Sequence, residues 1–250
     1  MKEPLQKQKL RRANSMYAVF KREVGAYFKS PIAYVLIGIF VLISSILFFF
    51  MNISSTNCEF NETLQNMGIV LVFLLPLLTM RILAEERKNG TEVLLITSPV
   101  SLSSIVIGKY LASFFVFFVM NLISLIYPII LFAFGTPTLS QLLGGYVGFL
   151  LLGAAFIAVG MFTSSITESQ IIAAVVAFVI SLVMLFISSI ADLVGGTLGQ
   201  VFNWISLLSR NSGFGQGIIE ISSIVYYISF ITVFIFLTIR VIEKRRWSQG

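Results

Sequence analysis

Residues 81–109 read RILAEERKNGTEVLLITSPVSLSSIVIGK. Long apolar runs flank this stretch, which carries Glu85, Glu86, Glu92 and four of the chain's seventeen bases. The rest of the middle of the chain is almost uncharged. A charged segment between two runs of membrane-spanning length must face water or an aqueous partner. The flanking runs therefore read as spans, and the segment as a loop at one membrane face.

Composition agrees. The chain is 57% hydrophobic and 11% charged, with mean hydropathy +0.96, whereas a soluble domain carries about a quarter charged residues. The fold class is an all-α polytopic membrane protein, with no room for a sizeable soluble domain. The first apolar run is as long as a full span and follows about 30 mostly polar residues, unlike a cleaved signal. The absence of histidine excludes His-based catalysis and most zinc sites, so no metal site is expected. The lone Cys58 cannot form an internal disulfide. The net charge of +6 reads as membrane topology, and no nucleic-acid partner is expected.

Taken in order, residues 1–14 are basic and polar and are expected to be mobile. In residues 15–30, apolar residues recur at helical spacing. This predicts a short amphipathic helix at the membrane interface, capped by Ser15, with Phe20, Lys21, Arg22, Tyr27 and Phe28 as its candidate contact residues. Such a helix anchors the chain, contacts a partner, or does both. Pro31 fits a helix start. The expected spans are 32–51, a short span at 68–83 kinked by Pro76, 105–134 bent at Tyr127-Pro128, 142–165, 170–190 and 224–242. Gly144 and Gly148 form a GxxxG in span four, a weak packing signal. Residues 191–223 are semi-apolar and glycine-rich, and read as one or two short helices tucked into the outer leaflet.

Six spans place both termini on one side, and sixteen of the seventeen bases then fall on that side, leaving Arg210 alone outside. The positive-inside rule makes that side cytoplasmic. The chain divides into residues 1–30, a cytoplasmic N-terminus with its interface helix; 31–242, the six-span domain; and 243–250, a cytoplasmic tail. Within the domain, 81–104 is a coupling segment and 191–223 an extracellular segment.

Most transport chemistries lack their residues. The spans hold essentially no buried Asp, Glu, Lys or Arg of the kind proton-coupled carriers use. There is no TVGYG-like filter and no GxxxxGK[ST] phosphate loop. The remaining readings are a membrane subunit powered through its cytoplasmic face, or a non-transporting scaffold or assembly factor that docks a cytoplasmic partner. A secondary carrier ranks third. Asn89-Gly90 stops one helix, Thr91 caps a second short apolar helix at 92–97, Pro99 ends it, and Ser101 caps span three. A short apolar helix between two breaks suits a groove on a partner, although pattern alone also allows a re-entrant loop on lipid headgroups. Ser44, Ser45, Asn121, Tyr127 and Ser181 either line a pathway or, more commonly, make packing hydrogen bonds.

The run AEERKNGTEVLLITSPVSLSSIVIGKYLA resembles the signature region of ABC-2-type ABC transporter permeases. Glu85, Glu86, Lys88, Gly90, Thr91, Glu92, Leu94, Leu95, Pro99, Gly108, Lys109 and Tyr110 carry the pattern. FKREVGAYFKSPIAYV (20–35) and LLGAAFIAVGMFTSSITESQIIA (151–173) are similar to the family as well, and within it to the permeases of gliding motility and of nitrous-oxide-reductase maturation. The resemblance implies the membrane subunit of an ATP-driven exporter in the bacterial cytoplasmic membrane, without ATPase motifs of its own. It implies a second permease chain, same or homologous, and a dimer of cytoplasmic ATPase subunits that bind ATP and Mg; an accessory extracytoplasmic protein is a further partner it allows. Residues 85–99 become the ATPase-coupling interface, and Trp204, Leu207 and Phe214 the extracellular gate candidates, on short re-entrant helices between spans five and six.

Overall fold

The computed structural model describes residues 5–92 and 100–248, with side chains for 15–92 and 100–245. The described residues form helices and no strand. Six helices are long and apolar enough to cross a membrane: Pro31–Ile53, Asn61–Lys88, Leu102–Phe134, Leu139–Ile166, Gln170–Val194 and Ile221–Arg245. These are spans one to six.

Span four is the hub. Of its apolar stretch 72% is buried within the chain, against 22% for span five and 11% for span six. Its glycines are the reason: a methyl on Gly160 would stand inside contact distance of Thr79 Oγ1 in span two. Gly144 and Gly148 do not receive another span. They seat the backbone and ring of Phe214, which belongs to a short helix at the far end of the bundle.

Several boundaries differ from the sequence reading, each for a local reason. The interface helix runs Leu5–Lys29, so Ser15 lies inside it and is no cap. Residues 5–14 share that helix, although only its later turns carry the apolar spacing. Span two is not short. Its helix begins at Asn61, with Glu62 in the first turn, where a carboxylate favours the helix dipole, and Asn61 Nδ2 there donates to the Gly215 carbonyl at 2.5 Å. Span three breaks at Leu125, ahead of the expected Tyr127-Pro128 bend, since Pro128 has no N–H for the Ser124 carbonyl. Pro31 starts span one and Ser101 caps span three, as expected, and Ser30 caps span one.

The polar groups inside the spans differ in their partners. Tyr127 OH pairs with Ser44 Oγ at 2.8 Å and Ser45 Oγ at 2.9 Å, tying span three to span one. Asn121 Nδ2 donates within its own helix to the Phe117 carbonyl. Ser181 Oγ is buried without a partner.

Candidate functional site

Span two is continuous through Pro76 and opens only after Thr79, resuming at Ala84–Lys88. Past Pro76 the chain is held by Met80 N–H, which donates to the Pro76 carbonyl at 2.9 Å. Ile82 N–H then turns back to the Thr79 carbonyl at 3.1 Å. That leaves carbonyls and amides outside the regular ladder, and unpaired groups of this kind are costly in an apolar bundle.

Side chains from three other elements satisfy them. Tyr27 OH, on the interface helix, donates to the Leu78 carbonyl at 3.1 Å and pairs with Ser113 Oγ of span three at 3.0 Å. Ser164 Oγ of span four donates to the Met80 carbonyl at 3.0 Å and accepts from Leu83 N–H at 3.1 Å and Ala84 N–H at 3.0 Å. Lys109 Nζ of span three donates to the Ile82 carbonyl at 3.0 Å.

Lys109 is also the centre of a charge ring. Its side chain is 2% exposed, and Nζ lies 2.8 Å from Glu86 Oε1 and 3.3 Å from Glu23 Oε1. Arg22 closes the ring, at 2.6 Å from Glu23 and 3.4 Å from Glu86. The hydrogen bond to Glu23 raises the Arg22 pKa above its ordinary value, against the opposing effect of burial. Two cations and two carboxylates thus join the interface helix, the resumed helix of span two, and span three. Burying this lysine alone would be prohibitive; pairing it makes it tolerable.

A second set of ion pairs fastens the root of the charged segment. Arg81 is bidentate on Glu85, at 2.7 and 2.9 Å. Arg87 meets Glu168 at 2.8 Å and donates to the Ile166 carbonyl at 2.9 Å, in the turn between spans four and five. Arg245, at the end of span six, meets Glu92 at 3.2 Å and donates to the Ser165 carbonyl.

The structure therefore sorts the sequence candidates. Glu85, Glu86 and Glu92 have partners within the chain, and Glu86 faces the ring. Lys88, Gly90 and Thr91 are exposed at the tip. Gly90 has φ +68, the left-handed turn that favours glycine. Thr91 closes back on the Glu86 carbonyl through its N–H at 2.9 Å and Oγ1 at 3.2 Å. Leu94, Leu95, Pro99 and most of the expected 92–97 helix lie outside the described residues. On the interface helix, Phe20 stacks edge-on with Phe115 at 5.9 Å, Phe28 with Tyr34 at 6.0 Å, and Lys21 and Arg22 are exposed.

At the opposite end, residues 191–223 contain two short helices, Gly196–Ile205 and Leu207–Gly215. Leu207 and Phe214 are fully buried. Tyr227 OH of span six donates to the Leu207 carbonyl at 2.8 Å. Trp204 is 67% exposed, with the Arg210 guanidinium 5.7 Å from its ring. The three gate candidates do not form one cluster: Leu207 and Phe214 are buried and Trp204 faces outward.

Sequence alone does not point to Tyr27, Ser164 and Glu23 as partners of the broken span, and the expectation of spans with essentially no buried ionic group fails at Lys109, which is 2% exposed inside span three because Glu86, Glu23 and the Ile82 carbonyl pair it. A lysine two turns inside span three, among Ile105, Val106 and Tyr110, is the one signal that was available. Ser164→Ala is expected to cost about 2 kcal/mol, because it orphans two amides at once. Thermal unfolding in detergent should drop by about 4–8 °C for a chain of this size.

Fold and network together define a multi-pass helical membrane protein whose ion pairs, among the described residues, gather at one end, around a broken second span. The family model for the ABC-2 family transporter protein matches residues 17–248. The chain belongs to that family, and is a membrane (permease) subunit of an ABC transporter. Membership implies association with an ABC ATPase and with the membrane. Comparison with curated proteins finds no match.

Proposed function

We propose that this chain is half of the membrane pathway of an ATP-driven exporter, pairing with a second permease chain and driven in trans by a cytoplasmic ATPase dimer. The ring around Lys109 carries this reading. It connects the exposed tip at Lys88–Thr91 to the interface helix and span three through charge-assisted bonds centred on the buried Lys109, so a push on the tip has a direct path. In this scheme the tip at 88–92 and the apolar residues 93–99 enter a cleft on the ATPase, in the bacterial cytoplasmic membrane with both termini inside. ATP and Mg act in the partner, and this chain has no hydrolytic role.

Glu86 is then a transmitting residue, facing inward, whereas Lys88, Gly90 and Thr91 meet the partner. Closure of the ATPase dimer moves the resumed helix of span two about its break at residues 80–83. The displacement reaches spans three and four through Lys109 and Ser164. At the far end, the helix Leu207–Gly215 leaves its glycine seat on span four, and the path opens outward.

The test is co-expression with a candidate ABC ATPase subunit, followed by purification and reconstitution. Stable co-purification and ATP-dependent efflux from the vesicles are expected. Co-purification without ATP-dependent movement of any cargo class would favour a docking scaffold. Ion-gradient-driven uptake without ATP would favour a secondary carrier.

A further inference from the structure

An apolar groove of about 440 Å³ lies between the interface helix and span three. Met16, Tyr17 and Phe20 form one wall, and Leu111, Phe115 and Phe118 the other. The volume is within the range of small-molecule pockets, roughly 300–1,000 Å³. The helices touch where the Met16 carbonyl and Val19 cover Gly108, and the span-three wall begins one turn further into the span. Neither the ring around Lys109 nor the coupling segment uses this groove.

Charge identifies its occupant. Residues 1–29 hold eight bases and two acids, so the whole net charge of +6 resides there, and the other 221 residues are neutral overall. Lys7, Lys9, Arg11 and Arg12 lie in the same helix as the groove wall, and Lys21 and Arg22 are exposed one turn beyond Tyr17. An apolar slot beside a strongly basic helix complements a molecule with an acyl tail and an anionic head. Basic clusters on amphipathic helices attract anionic lipid, by about 1 kcal/mol per Lys or Arg near the surface.

We propose that this groove binds one acyl chain of an anionic glycerophospholipid from the cytoplasmic leaflet, with its phosphate held by the bases of the interface helix. The site rests on the orientation proposed above, which puts this helix at the cytoplasmic surface. An occupied groove wedges the interface helix against span three beside Lys109, so bound lipid stiffens the same ring.

The purified full chain is delipidated in neutral detergent, and phosphatidylglycerol or phosphatidylcholine with identical acyl chains is added back, with lipid retention read by native mass spectrometry. The expected result is saturable retention of phosphatidylglycerol at least tenfold above phosphatidylcholine. Leu111→Trp, which fills the slot, should abolish it, and Lys21→Glu, an exposed change that leaves the fold intact, should reduce it severalfold. Retention of both lipids alike, or retention unaltered in both variants, overturns the proposal. Glycerol phosphate, which lacks the tail, should not compete; if it displaces the lipid, the site is a phosphate site and the groove is not its determinant. The assay needs no ATPase, so its failure leaves the coupling reading standing, and a failure of coupling leaves the lipid result standing.

Discussion

Lys109→Met should lower the stability of the chain by about 3 kcal/mol and abolish ATP-coupled transport. The substitution strands Glu86 and Glu23 beside an empty position and frees the Ile82 carbonyl in a buried place. Breaking a buried ion pair from one side costs about 3–5 kcal/mol. The lower end applies because the Glu86 side chain keeps 20% exposure and Arg22 still faces both acids. Adding Glu86→Gln removes one of the two stranded charges, and Arg22 still pairs the other, Glu23, so the double variant should regain much of the stability without regaining transport. That split separates the two contributions of the ring. If the double variant transports normally, the ring serves stability alone. Thermal unfolding of the purified chain and efflux from reconstituted complexes measure the two quantities independently.

Gly90→Pro is expected to leave insertion and folding nearly intact and to cut transport at least roughly tenfold, equivalent to about 1.4 kcal/mol of coupling. Proline needs φ near −65°, and Gly90 sits at +68. It also removes the N–H that donates to the Arg87 carbonyl at 3.1 Å. The exposed turn must rearrange and re-aim residues 91–99. Gly90→Ala keeps the N–H and strains the turn by about 1–2 kcal/mol, so its loss should be smaller. A complex whose ATPase runs normally but moves no cargo is the expected signature of the proline variant. Equal transport by all three chains would mean that the turn does not deliver the push.

Much of the architecture was legible because membrane spans announce themselves by length and apolarity, and no other segment of this chain has both. Caps were legible where chemistry is local, as at Ser101 and at Asn89-Gly90. What the sequence could not disclose are partnerships across elements. Nothing in the order of residues says that Ser164 closes a break 80 residues earlier, or that Tyr27 reaches a carbonyl of span two. The polar run at 61–67, which lies outside the span expected at 68–83, continues that span as helix, and Asn61 at its start bonds the distant Gly215 carbonyl. The GxxxG at Gly144 and Gly148 was legible as close packing but not as a seat for Phe214, since the period of small residues does not name the partner. Lys109 follows the same rule: sequence counts it among the cytoplasmic-side bases, and it is buried because Glu23 and Glu86, brought in from two other helices, and the Ile82 carbonyl pair it.

The central claim is that the tip of the charged segment touches an ATPase from the cytoplasmic side. Thr91 is exposed and lies at that tip. A chain with Cys58→Ser and Thr91→Cys carries one thiol, which a photoactivatable cross-linker or an impermeant maleimide can reach. In intact cells, the maleimide should fail from outside, and the cross-linker should capture an ATP-binding subunit, more strongly when ATP is trapped. Labelling of Thr91→Cys from outside, or capture of lipid alone, would contradict the account.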